Sequence, residues 1–294
     1  LSTALESTAE KLMLKSYEAA APSWRGFCQI MSVSDFKTAK AIRPSFLGNL
    51  NPLPSGGEIR HGNLKEESVS IRVECWAQML RVGYQDVIND DGSMFQQTSS
   101  ALGQNAARSL SDAVWRCVMA NDDDYFDGDH NNLLSGGSSE LGFDSLSEAI
   151  RLMKAQVDLG GRPLDLSPRV LAVPPSLELT ALQLVQSQSM ARYTTDGVDN
   201  VPEGNPMHGR LSVTSESRLS NSTFTGYSET AWYLFGGPES APVVVAFLNG
   251  LERPVIQSFG LNSEVSTLGF AWRCWFDFGV ALCDWRAGVR SAGV

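Results

Sequence analysis

Histidine is the scarcest reactive residue type in this chain: His61, His130 and His208 are the whole supply in 294 residues. None stands at helical ligand spacing from another, so a histidine-based metal centre has little to build on. Cysteine is hardly richer. Cys28, Cys75, Cys117, Cys274 and Cys283 are scattered, odd in number and never spaced Cys-x-x-Cys. They read as small core residues of a reduced protein, which excludes a disulfide framework and a thiolate zinc site. Basic residues are in the minority, 23 against 33 acidic ones, for a net charge of −10. That balance argues against a module built to bind phosphate. No apolar run reaches the roughly 18 residues a membrane span needs, and no apolar leader core stands near Leu1. The Gly-x-Ser-x-Gly elbow, the phosphate-binding loop and the dinucleotide fingerprint are all missing.

What the chain has is material for a core. Its hydrophobic share of 43% suits one large or two ordinary domains. Leu5, Leu12, Met13 and Tyr17 give a helical spacing that Pro22 should end. Beyond it, Arg43-Pro44 and Phe46-Leu47-Gly48 suggest an extended arm lying on something else. Asn51-Pro52, Pro54-Ser55-Gly56-Gly57 and His61-Gly62 are turn chemistry. A long ribbon is then predicted from Ser68 to Val82. Val69, Ile71, Val73, Cys75, Ala77 and Met79 share its inward face. It exceeds the usual strand length, so it either crosses a domain or projects from one.

Asn89-Asp90-Asp91-Gly92-Ser93 signals a helix start. Phe95, Ser99, Leu102, Ala106, Leu110, Ala113 and Cys117 continue it for about 25 residues, about 38 Å. Ser145 to Glu148 reads as a capping box opening a second helix, which Gly160-Gly161 stops. Val170–Val173 and Val243–Leu248 read as buried strands, and Pro174-Pro175-Ser176 as the start of a third helix. Residues 190–230 give no clear periodicity. Phe270, Trp272, Cys274, Phe276, Phe278 and Val280 alternate with Arg273, Trp275, Asp277 and Gly279 in a closing ribbon. The pattern is mixed α+β, with strands far apart in sequence.

Candidate chemistry is sparse. Aligning Gly128 with a calcium-loop glycine puts Tyr125 where an oxygen ligand is needed and Leu134 where the bidentate Glu belongs. The acidic stretch Asp122–Asp129 is therefore read as a solvated loop. A metal-assisted enzyme using Asp122, Asp124, Asp127 and His130 stays open as an alternative. Trp272, Trp275 and Trp285 read as parts of a buried ribbon rather than a carbohydrate platform. Nothing assembles a catalytic set, and no cofactor is expected.

Several stretches, taken in order, resemble one family. They are Ser32–Thr38; Gly56-Gly57-Glu58-Ile59 with Glu66-Glu67-Ser68; Gln85–Asp91; Asp127-Gly128 with His130–Leu133; Leu164–Pro175; and Asp277–Val280 with Asp284–Gly288. Together they resemble the major capsid proteins of tailed phages, most closely the Mu-type major head subunits. The resemblance implies the Hong Kong 97 phage-type capsid fold. Residues 1–50 would be the N-terminal arm, 51–88 the extended loop and 89–165 the peripheral domain with a long spine helix. Residues 166–255 would form the axial domain and 256–294 the return strand. The start at Leu1 would follow from a prohead protease. An encapsulin-like compartment shares the fold and is the alternative.

The function implied is a structural head protein without catalysis. It would assemble as pentamers and hexamers of an icosahedral shell around double-stranded DNA, which it would not read by sequence. Portal, scaffold and possibly decoration proteins are the implied partners. The location would be the virion, with assembly in the host cytoplasm and no membrane contact. Inter-subunit contact is expected at Pro54, Gly56, Gly57, Glu58, Arg60, Lys65, Glu66 and Glu67 of the loop, and at Phe36, Lys37 and Lys40 of the arm. Deleting Pro54 to Glu67 should leave a folded subunit that fails to assemble. Circular dichroism would check the folding and electron microscopy the assembly; normal shells would contradict the assignment of the loop.

Overall fold

The computed structural model describes residues 2–47, 63–89, 93–193, 200–259 and 269–294, together with Ser55. It opens with α1 (Ser2–Ala19), after which Pro22 is extended and leads a 3-10 turn, Ser23–Gly26. Next come β1 (Cys28–Val33), β2 (Ala39–Leu47), β3 (Asn63–Ile71), β4 (Glu74–Gly83), the short α2 (Tyr84–Asn89) and the 28-residue α3 (Ser93–Ala120). They are followed by β5 (Leu133–Leu134), α4 (Phe143–Lys154), β6 (Pro168–Val173), α5 (Glu178–Gln186), β7 (Ser189–Tyr193) and β8 (Asn200–Gly204). The last strands are β9 (Ser212–Ser215), β10 (Trp232–Gly236), β11 (Val243–Leu248), β12 (Val255–Phe259), β13 (Gly269–Leu282) and β14 (Gly288–Ser291). Among the described residues no helix is long and apolar enough to cross a membrane.

Two sheets carry the body. In the first, β13 is the hub: β12 and β4 pair along it, and β11 pairs at its far end and in turn holds β1 in parallel. Phe278 is opposite both Glu74 and Phe247, so β4 and β11 flank β13 on opposite edges. Period two does the packing. Phe270, Trp272, Cys274, Phe276 and Phe278 are all buried, meeting Met13 of α1 and Leu102 and Leu110 of α3. α1 reaches α3 closely because Gly103 has no side chain; a Cβ there would lie 2.1 Å from the Met13 carbonyl oxygen.

The second sheet runs β5-β14-β10-β6-β9. It is covered on both faces, which is why β10 is apolar at every position. Trp232 and Leu234 join Leu171, Val173 and Val289 under Leu146, Ala149 and Met153 of α4 and Ala181 and Val185 of α5. Tyr233 and Phe235 point the other way, into the cluster shared with α3 and the first sheet. Each such side chain contributes about 1.5–3 kcal/mol of burial. Aromatic rings in contact cross this shared layer: Phe27 stacks on Phe235 at 4.3 Å and Phe235 on Tyr233, while Phe126 is tilted against Tyr233 and meets Tyr125 edge-on.

The structure corrects several sequence expectations. The ribbon predicted from Ser68 to Val82 is two strands, broken at Arg72-Val73. Ile71 and Val73 dip into a cluster with Val33, Val244 and Ala246. The Arg72 backbone crosses directly over Gly279, where a Cβ would lie 2.1 Å from the Arg72 carbonyl oxygen. Past the crossing the expected inward face is open: Cys75 is exposed and Met79 is 61% exposed. The exposed thiol is still not a reactive one, because a hydrogen bond to the Asp277 carboxylate pushes it up to about 11.

The second helix starts two residues before the expected capping box. Ser145 Oγ accepts the Gly142 N–H at 2.9 Å, while Glu148 pairs with Arg151 instead. The unassigned tract 190–230 holds β7, β8, β9 and a 3-10 turn. Within the first fifty residues, α1 and β1 belong to the body: Met13, Trp24, Phe27 and Cys28 are all buried.

Gly279→Ala should therefore destabilise the subunit by about 1–3 kcal/mol, since backbone and not a flexible side chain must yield. Urea unfolding followed by circular dichroism would measure it.

Candidate assembly interface

β2 and β3 form an antiparallel ribbon with Ala39 opposite Ile71 and Leu47 opposite Asn63. Among the described residues these strands hydrogen-bond in a sheet only to each other. A two-stranded ribbon is marginal alone, so its order must be secured at the root or by neighbours. Ile42, 56% exposed, shows that the ribbon buries little of its own apolar surface.

The root is secured by an ion pair. The buried Arg286 forks onto Glu67 of β3, Nη1 donating to Oε2 at 2.8 Å and Nη2 to Oε1 at 2.9 Å. Its Nε donates to the Val157 carbonyl at 3.0 Å, and Nη1 lies 3.3 Å from Asp284 Oδ1. A bidentate, charge-assisted pair of this kind fixes direction as well as distance. The Arg286 guanidinium also lies 4.3 Å from the centre of the Trp285 ring, and His130 stacks on that ring at 4.2 Å.

Behind this root the acidic loop is structural. Asn132 is fully buried; its amide donates to the carbonyls of Tyr125 at 2.8 Å and Trp285 at 3.0 Å and accepts the Asp127 N–H at 2.9 Å. The Tyr125 hydroxyl lies 2.7 Å from the Asp284 carbonyl oxygen and 2.9 Å from that of Pro242, and burial pushes its ionisation well up. Asn121, Asp124 and Asn131 all take left-handed backbone here. Such a conformation persists where surrounding structure determines it. Among the described residues no group of three or more His, Cys, Asp or Glu is placed to hold a metal ion.

The expected contact residues fall in four places. Pro54, Gly56, Gly57, Glu58 and Arg60 lie outside the described residues, and Lys65 and Glu66 are β3 positions opposite Ser45 and Pro44. Phe36 and Lys37 are exposed between β1 and β2, with Lys37 3.7 Å from Asp35. Lys40 lines a cleft of about 700 Å³ between the ribbon root and the body, with Ile30, Ile42 and Glu239. Glu67 is engaged within its own subunit, where it serves as the anchor. Sequence reasoning assigned no role to Arg286 or Asn132; the only signal was that both fall in stretches carrying the family resemblance.

These features define a structural subunit, with a two-sheet body and a ribbon secured at one end. The family model described as phage capsid protein matches residues 66–291, and the chain belongs to that family. Solved structures agree on the fold. The capsid of cyanophage P-SCSP1u is 13% identical with a TM-score of 0.58, covering 92% of this chain and 87% of that one. The capsid of Ralstonia phage GP4 is 13% identical with a TM-score of 0.57, covering 91% and 89%. The mature capsid of bacteriophage PhiM1 is 14% identical with a TM-score of 0.56, covering 91% and 85%. No curated protein matches the chain in sequence. The fold is the Hong Kong 97-like capsid fold, and the chain is a structural major capsid protein of tailed phages, a component of the virion shell. A phage family match favours this reading over the compartment alternative.

Glu67→Ala should cost about 1–3 kcal/mol by leaving the buried Arg286 charge without its main partner. Hydrogen exchange should accelerate in β3 more than in β10; uniform protection in both strands would contradict the anchoring role.

Proposed function

We propose that copies of this chain close into rings of five and six in an icosahedral shell around double-stranded DNA, with the β2–β3 ribbon as the element that reaches neighbours. The observation that carries this reading is the ribbon itself: tied to its own body at Glu67, it leaves both outer strand edges unpaired among the described residues. An extended element of that kind needs neighbours to offset its ordering entropy. Rings of two sizes need a rigid body with adaptable contacts.

The domain reading follows with one shift. The loop unit begins at Ala39, because β2 is half of the ribbon. α3 serves as the spine of the peripheral domain, the second sheet belongs to the axial domain, and β13 is the return strand. The net charge of −10 suits a container wall that must not hold its DNA by phosphate contacts. Portal and scaffold proteins, and possibly decoration proteins, are the partners of this reading. Assembly takes place in the host cytoplasm, and the chain performs no catalysis.

Electron microscopy and light scattering of the purified protein test it. Closed shells or capsomer rings are expected from the intact chain. A variant lacking Pro54 to Gly62, which spares β3 and Glu67, should remain folded and unassembled. A monodisperse monomer from the intact chain under assembly-favouring conditions would overturn the reading.

A further inference from the structure

The first sheet ends on an edge that nothing in the described chain protects. β4 gives one side to β13 over Glu74–Gly83, and its other side has no strand partner among the described residues. Natural edges of this length are usually blunted by lysine, proline, a bulge or a covering loop. Here the charged residues are Glu74 and Arg81, near the two ends, with Cys-Trp-Ala-Gln-Met-Leu between them. Trp76 is 43% exposed and Met79 is 61% exposed, on opposite faces of the strand. A groove of about 180 Å³ runs beneath the edge, lined by Trp76, Gln78, Leu102, Asn105 and Ser109.

We propose that this edge pairs with β4 of a second copy of the chain, antiparallel about a two-fold axis perpendicular to the sheet. The proposal rests on the chain's role as a shell subunit, which supplies the second copy. Symmetry then makes it specific. A two-fold of this kind places one residue opposite itself and thereby fixes every other pair. With Gln78 opposite its own copy, Ala77 faces Met79 and Trp76 faces Leu80, so the exposed apolar side chains of the strand's middle meet apolar partners. Centring on Ala77 instead sets Trp76 against Gln78. Centring on Met79 sets Ala77 against Arg81 and Gln78 against Leu80. Gln78 is also suited to the axis. Its Oε1 accepts from Asn105 Nδ2 at 2.7 Å, which leaves the amide N–H2 to donate across the interface. The second strand would roof the groove beneath Trp76.

Opposed residues of an antiparallel pair have Cα atoms about 4.5–5.5 Å apart, within disulfide reach. The test uses particles confirmed by microscopy, built from Gln78→Cys in a Cys75→Ser, Cys274→Ala background, because Cys274 lies opposite Gln78 within the same subunit, and oxidised with diamide. A covalent dimer on a non-reducing gel is expected. Ala77→Cys and Met79→Cys in the same background should each give none alone, and a heterodimer when co-assembled. Intact particles with no Gln78→Cys dimer, or equal dimer yields at all three positions, would overturn the proposal while leaving the shell role untouched. Met79→Lys gives an independent reading at an exposed position. Assembly should be lost with an unchanged melting temperature, and normal particles from this variant would count against the paired edge.

Discussion

Strand β13 must serve three neighbours at once, and the rest of the body follows from how it does so. One edge takes β12 and then β11, the other takes β4, and one face of the strand is a row of aromatic side chains pressed on α1 and α3. Such a strand has no freedom of register: a slip of one residue would turn Phe270, Trp272, Cys274, Phe276 and Phe278 outward together. Three features answer to it. Gly279 admits the crossing of Arg72, Gly103 admits α1 onto α3, and the break between β3 and β4 lets the chain leave the sheet as a ribbon.

The body and the ribbon are held by different physics. Apolar burial on both faces of β10 and β6 secures the second sheet, and this kind of energy is broad and non-directional. The ribbon is directed instead by a single guanidinium fork, Arg286 on Glu67, set among the Val157 carbonyl, Asp284 and the Trp285 ring. A directional pair suits an element whose angle to the body matters more than its buried area. The acidic loop belongs to the same arrangement, since Tyr125 and Asn132 brace the carbonyls of Asp284 and Trp285, the two residues that lead into Arg286.

Much of this was legible in the sequence, and the misses have identifiable causes. The α3 stripe, the buried strands β6 and β11 and the alternation in β13 all follow from periodicity, because burial there is one-sided or complete. The ribbon from Ser68 to Val82 was misread as continuous because alternation survives across Arg72-Val73, where the chain changes layers; only the contact with Gly279, two hundred residues away, shows the break. Cys75 and Met79 were placed inward by the same uninterrupted count. The capping pair at Ser145 was misplaced because Gly142, with no side chain to signal a cap, begins the helix. The Arg286 anchor was out of reach: Glu67 and Arg286 lie 219 positions apart, and nothing local to either residue announces the other.

The column of rings from Phe27 through Phe235, Tyr233 and Phe126 to Tyr125 has a mechanical meaning for a shell wall. Its rings share one cluster with Phe247, Phe276 and Phe278 of the first sheet, so the two sheets have a common close-packed core, and packed interiors of this kind transmit load with little compression. Strain arriving at one sheet is therefore passed to the other instead of being absorbed between them. The compliant parts of such a wall are then its seams, where ribbon and strand edge leave the packed block, and curvature would be accommodated there while each block keeps its shape.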